Sequence, residues 1–200
     1  MASTNNKSPR HLLTVSSFTK EEHELVLATA ADIKACPSKY HNACLRMVML
    51  LIFQKPSLRT HVSFEAGFAK MGGHAIYYST VNSPMGSKET IHDTAKCASR
   101  FVEIIGARLK KKSEMHSLAK HATVPTINML DDWGHPCQIL ADFLTIKEKK
   151  VTYLIFDLAI SPMSRYCDIF LTATIVQHGR LFFILFYFLL FCSFFIYVSF

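Results

Sequence analysis

From Met47 to Phe53 the chain is apolar at every position, and the next residues, Gln54-Lys55-Pro56-Ser57, break that run abruptly. A short, continuously apolar segment fits a strand buried on both faces, which is the habit of parallel sheets. Parallel strands need crossovers, and Ser57 to Lys70 reads as the first, a helix stopped by Gly72-Gly73. The alternation then repeats. Strands are expected at His74 to Tyr78, Val102 to Ala107 and Thr126 to Met129. Between and after them, helices are expected at Glu89 to Phe101, with Ile91, Ala95, Ala98 and Phe101/Val102 on one stripe, at Ser113 to His121, and at about Pro136 to Lys147. Upstream, Thr19-Lys20-Glu21-Glu22 reads as a capping box. Phe18, Leu25/Val26, Ala30 and Ile33 follow at helical spacing, ending before Pro37. The expected architecture is α/β: a parallel sheet of about four strands flanked by helices, followed by an apolar tail of uncertain fold.

In such a sheet, ligands bind outside the carboxyl ends of the strands. The polar clusters of this chain fall there: after Phe53, after Tyr78, at Arg108 and after Met129. At the first, a helix N-terminus offers unpaired N–H groups and the positive end of the macrodipole. Ser57, Thr60 and the planar fork of Arg59 would complete a pocket for a phosphate dianion. Taken alone, the same residues also fit an ordinary N-cap beside a surface arginine. Arg108 ends a strand, where a guanidinium faces either a ligand or the solvent rim. Asp131-Asp132-Trp133-Gly134-His135-Pro136-Cys137-Gln138 joins a strand to a helix, with His135 and Gln138 spaced to converge on one first turn. Three strand-end clusters together favour a site over three coincidences.

Charge narrows the partners only a little. Lys and Arg number 22 against 15 Asp and Glu, which suits an anionic ligand, a nucleic acid or an anionic membrane. No arginine–aromatic stripe or zinc-finger spacing accompanies that charge, so nucleic acid is not an expected partner. None of the six cysteines sits in a C-x-x-C pair, and reduced thiols in an intracellular protein are expected. Residues 1–10 read as a disordered polar leader, giving a cytoplasmic expectation with the mitochondrial matrix as the alternative.

The motifs resemble one family. Ser57-Leu58-Arg59-Thr60 is similar to the Ser-Thr-Arg-Thr signature of aspartate and ornithine carbamoyltransferases, and His135-Pro136-Cys137-Gln138 to their His-Pro-x-Gln signature. Met71-Gly72-Gly73-His74, Arg108 and the spacing between the signatures agree as well. Ile139 to Ile146 is closer to the ornithine branch, with the aspartate branch as the alternative. The resemblance covers nearly all of His11 to Lys150. It implies transfer of a carbamoyl group from carbamoyl phosphate to the amine of ornithine, giving citrulline and phosphate, with no metal or cofactor. It further implies that Ser57, Arg59 and the backbone around Leu58 hold the phosphate. Thr60, Arg108 and His135 would reach the carbonyl oxygen, and Gln138 would recognise the carbamoyl amide. The Ser83–Lys88 loop resembles one that family members extend into a neighbouring subunit, so Lys88 would act in trans within a homotrimer; a solvated loop lysine is the plain alternative.

Departures from the family are equally visible. Leu58 stands where the signature has threonine, Gln54 where a glutamate is usual, and His61 where an arginine ends the signature. Residues 151–200 show no trace of the second, amino-acid-binding domain. Leu181 to Phe200 contains no charged residue, long enough for a membrane span that would make the chain a tail-anchored binding or interaction protein. The favoured reading is instead T-rich non-coding sequence read in frame. On either reading residues 11–150 form the carbamoyl-phosphate-binding domain of a truncated chain, expected to be inactive alone.

Overall fold

The computed structural model describes residues 8–81, 85 and 89–148. The expectations for residues 1–7, for Lys88 and for the 181–200 segment lie outside the described residues. Among those described, no helix is long and apolar enough to cross a membrane.

Among the described residues, the predicted strand segments form strands and the amphipathic stretches form helices. In chain order these are α1 (Lys20–Ala35), β1 (Val48–Phe53), α2 (Leu58–Lys70), β2 (His74–Ser79), α3 (Ile91–Ala98), β3 (Ile104–Arg108), α4 (Lys112–His121), β4 (Thr126–Leu130) and α5 (Pro136–Glu148). The capping box at Thr19 is formed: the Glu22 N–H donates to Thr19 Oγ1 at 3.3 Å, and the Thr19 N–H to Glu22 Oε2 at 2.8 Å. Val26, Leu27, Ala30 and Ile33 are the buried stripe of α1, whereas Leu25 is exposed. Helix α2 ends in a Schellman turn, with Gly72 N–H donating to Ala69 O and Gly73 N–H to Phe68 O, both at 3.0 Å. Gly72 takes φ +85°, and a Cβ there would lie 2.9 Å from His41 O, so glycine is required by conformation and by space.

The four strands are all parallel, in the order β2-β1-β3-β4. The chain therefore runs outward from β1 to β2, returns across β1 to β3, and continues outward to β4. Right-handed crossovers in opposite directions must use opposite faces. Accordingly α1, α2 and α5 cover one face, with Met49, Leu51, Phe53, Phe64, Phe68, Leu140 and Phe143 in its core. Helices α3 and α4 cover the other, over Ile52, Ile105, Ala107, Met115 and Leu118. Alternate residues of β1 thus feed two cores, which is why Met47 to Phe53 reads as uninterruptedly apolar.

Helix α3 is shorter than expected. It stops at Ala98, and Ser99 to Phe101 turn out of the helix, leaving Phe101 76 % exposed while Val102 packs inside. The strand accordingly begins at Ile104 and not at Val102. At the other edge, Leu12 bridges to Ile127, with Asn128 N–H donating to Leu12 O at 2.8 Å, so the segment before α1 closes the sheet beyond β4.

Candidate functional site

The direction of travel reverses between β1 and β3, and the loops leaving their carboxyl ends diverge there. Such a switch point opens a crevice. Phe53, the last residue of β1, pairs with Arg108, the last of β3, and Arg108 pairs in turn with Leu130, the last of β4. Adjacent strands lie ~4.8 Å apart, so the register brings the starts of three loops side by side. Gln54 sews the first two together: its N–H donates to Arg108 O at 2.9 Å, and its Oε1 accepts from the Lys110 N–H at 2.6 Å.

Beyond Gln54, the chain enters α2 with Ser57 in the N-cap position. The Ser57 side chain does not cap the helix; its Oγ donates to Thr60 Oγ1 at 3.0 Å. The first intrahelical bond is His61 N–H to Ser57 O, so the N–H groups of Leu58, Arg59 and Thr60 head the helix toward the crevice. Helices α1, α3 and α4 place acids in their first turns, whereas α2 and α5 place none. A helix start without a carboxylate keeps its positive potential for an external anion. Thr60 is buried and Arg59 exposed at the mouth. Leu58 is 77 % exposed, so it contributes its backbone N–H to the helix start while its side chain lies in solvent. His61 turns away: it stacks on Tyr77 at 4.0 Å between ring centroids and pairs with Glu65.

The second half of the site is built by β4 and the loop after it. Asn128 pairs with Ala107 and Leu130 with Arg108, so Met129 is an extra residue in a β-bulge. Leu130 takes φ 151°, a conformation rare for a branched side chain. It is held there by its N–H to Asn128 Oδ1 at 2.9 Å and by Leu109 N–H to its carbonyl at 3.0 Å. The loop then folds around Asp131, whose Oδ1 accepts from the N–H groups of Trp133 at 2.7 Å and Gly134 at 2.8 Å. Asp131 Oδ2 accepts from Asn128 Nδ2 at 3.0 Å. Outside, Asp132 Oδ1 accepts from the Lys112 N–H at 2.6 Å, and the Lys112 ammonium sits 4.1 Å from the centroid of the Trp133 ring. The loop is pinned from both sides.

That pinning delivers His135 to the start of α5, where its carbonyl accepts from the N–H groups of Gln138 and Ile139. Burial, helped by the nearby Arg108 charge, pushes the imidazole pKa down to about 3. His135 is therefore a neutral ring that can donate one N–H without bringing a charge. Gln138, one turn on, is the one position between His135 and Leu144 that is not buried. Its Nε2 donates to Asp142 Oδ1 at 2.9 Å.

The sequence-predicted residues thus fall into two groups at neighbouring strand ends. Ser57, Leu58, Arg59 and Thr60 form the start of α2 after β1, while Arg108 ends the neighbouring strand β3 and His135 and Gln138 lie at the start of α5 after β4. Asn128, Asp142 and Lys112 were given no role from sequence, and Asp131 only a place in the polar cluster after Met129. Their signal was present only as short polar residues beside strand ends and a carboxylate within an apolar helix. Among the described residues no cluster of His, Cys, Asp and Glu is placed to hold a metal ion.

Comparison with known proteins agrees with this layout. Residues 10–148 match the family model described as aspartate/ornithine carbamoyltransferase, carbamoyl-P binding domain. The chain is 46 % identical over 145 residues to the anabolic ornithine carbamoyltransferase of Pyrococcus furiosus, covering 72 % of this chain and 46 % of that protein. Among solved structures, it is similar to the ornithine transcarbamoylase of Giardia lamblia, with TM-score 0.65 and 46 % identity over 72 % of this chain and 44 % of that one. The Pyrococcus furiosus ornithine carbamoyltransferase gives TM-score 0.69 at 44 % identity, covering 72 % and 47 % of the two chains. The chain therefore spans about half the length of the relatives it matches.

Proposed function

The chain belongs to the aspartate/ornithine carbamoyltransferase family through its carbamoyl-phosphate-binding domain, and from that premise we propose that the crevice between β1 and β3 binds carbamoyl phosphate for transfer to ornithine. The observation that carries this reading is the start of α2. It is free of acids, not capped by Ser57, and set at the switch point of the sheet beside Arg108 and a neutral His135.

The phosphate lies at the N–H groups of residues 58–60, with Ser57 Oγ and the Arg59 fork completing its shell. The carbonyl oxygen points to Thr60, Arg108 and His135. When the amine attacks the carbonyl carbon, a C–N bond forms and negative charge builds on that oxygen. The carbonyl then re-forms as the C–O bond to phosphate breaks, and the phosphate departs with the electron pair and takes up the proton that the amine nitrogen loses. Fixed donors at both charged ends stabilise this transition state more than the ground state. A neutral His135 suits the role, since it offers an N–H without placing a second positive charge beside Arg108. Gln138 accepts from the carbamoyl amide. Ornithine recognition is assigned to residues other than these.

Calorimetry with phosphonoacetamide, a non-hydrolysable mimic of carbamoyl phosphate, tests the donor site. Wild type binds it, and Arg59→Ala weakens binding about ten- to a hundredfold, as expected for lost charge-assisted hydrogen bonds. Full affinity in Arg59→Ala, or no binding by wild type, would sink the assignment.

A further inference from the structure

We propose that Asp142 is a specificity-determining positioning residue: by holding the Gln138 carboxamide in one of its two orientations, it makes the site select an acyl phosphate bearing an amide over one bearing a methyl group. This rests on the donor site proposed above and adds a residue and a discrimination to it.

A carboxamide can present either its oxygen or its NH2 toward a ligand, and the two ends differ little in shape. Left alone, Gln138 would offer both. Asp142 removes the choice. Its carboxylate is 3 % exposed and can only accept, and it takes the Nε2 of Gln138 at 2.9 Å. Residues 138 and 142 are one turn apart on α5, so the contact is intrinsic to the helix and does not need a ligand to form it. With the NH2 drawn back along α5, Oε1 becomes the end that faces an incoming group. An acceptor there matches the N–H bonds of a carbamoyl group and leaves a methyl group unmatched. A site built to hydrogen-bond an N–H rejects an analogue lacking it far more strongly than it rejects a change in size, because the protein acceptor is then desolvated without a partner.

The position of Gln138 supports this use. The residues around it on α5, Pro136, Cys137, Ile139 and Leu140, are buried, and Gln138 alone reaches outward. It lies within a turn of His135. A buried carboxylate is costly unless it is hydrogen-bonded, and the Gln138 carboxamide supplies Asp142 with such a bond.

The test compares two phosphonates of nearly equal shape, phosphonoacetamide and acetonylphosphonate, which differ in an amide NH2 against a methyl group. Calorimetry is run on the full chain, with orthophosphate as a third ligand. Wild type prefers the amide. In Asp142→Asn the side chain at 142 can donate as well as accept, so Gln138 can turn over, and the preference falls about tenfold while orthophosphate affinity stays within twofold. Gln138→Met, lacking the acceptor, loses the preference altogether. An unchanged preference in Asp142→Asn beside its loss in Gln138→Met overturns the role of Asp142. Failure of wild type to bind orthophosphate or either phosphonate overturns the donor site itself, a distinct result. Should Asp142→Asn not fold, the side-chain NH2 signal of Gln138 in wild type decides. It is assigned by its disappearance in Gln138→Met. Slowed exchange with solvent in the unliganded chain supports the Asp142 contact, and exchange as fast as that of exposed glutamines overturns it.

Discussion

Ser57 Oγ is directed at Thr60 Oγ1, 3.0 Å away, and not at a backbone N–H of the helix it precedes. The two hydroxyls form a small internal bridge that leaves the first turn of α2 without a side-chain cap. A cap residue there is ordinarily worth about 1 kcal/mol to a helix. Its absence is the local cost of keeping the N–H groups for something else. Ser57→Asp, which supplies both a cap and a negative charge, is expected to raise the melting temperature while weakening phosphonoacetamide binding at least tenfold. A variant that gains stability and keeps its affinity would remove the reason for assigning an anion to this helix start.

Leu58 offers the opposite experiment. Its side chain is exposed, so replacing it disturbs no packing. Leu58→Thr adds a hydroxyl beside the expected phosphate, and a hydrogen bond to a charged group contributes roughly 1.5–3 kcal/mol. Affinity for phosphonoacetamide should rise about tenfold or more by calorimetry. No change would count against the phosphate lying at this turn.

Lys112 and Trp133 give the site an optical reporter, because the chain has a single tryptophan. Their contact at 4.1 Å is a cation–π pair of roughly 0.5–1 kcal/mol at an exposed position. Lys112→Met should weaken ligand binding about two- to fivefold by loosening the loop that carries His135, and should shift Trp133 emission. Titrating wild type with phosphonoacetamide should give a saturable change in the same emission, with the midpoint found by calorimetry.

His135 sets a pH dependence of stability. Its folded pKa, about 3, lies below the ordinary 6.5, so the unfolded chain takes up this proton first as the pH falls. The contribution is complete above pH 6.5 and declines between there and about 3, by at most ~1.4 kcal/mol per pH unit. His11 and His23 are also held below 6.5 by burial and act in the same direction. The informative quantity is therefore the difference between wild type and His135→Gln. Urea melts from pH 7 to 4 should show the variant losing stability less steeply; parallel curves would mean that His135 is not held neutral by the fold.

Gly72→Ala tests the turn behind α2. With φ at +85° and His41 O only 2.9 Å from the new Cβ, the cost should exceed the ~1–2 kcal/mol of a left-handed residue alone. The melting temperature should fall by several degrees, with phosphonoacetamide affinity kept in the folded fraction. An unchanged melt would mean the turn relaxes freely.

Much of the architecture was legible because it follows from periodicity. The β1 run, the Thr19 capping box and the Gly72-Gly73 stop each carry a local cause that tertiary packing does not override. Where the reading slipped, the cause was non-local: Phe101 fitted the α3 stripe, yet the chain must leave the helix at Ser99 to reach β3. Within the site, Ser57, Arg59, Thr60, Arg108 and His135 were visible because strand-end position and residue type coincide. Asp142 and Asn128 were not, and Asp131 only as a member of its polar cluster, since their meaning lies in which hydrogen bond each makes. The bulge at Met129 and the rare backbone angle of Leu130 have no residue signature at all; leucine would be among the last choices for φ 151°.

The strand order has a mechanical consequence. The start of α2 belongs to the part of the chain that travels toward β2, while His135 and Gln138 belong to the part that leaves β4. A small molecule gripping both would act as a clasp across the seam where the two directions of travel part. Binding should then slow amide hydrogen exchange on both sides of that seam at once, in β1 and in β4, and not only in the segments that touch the ligand.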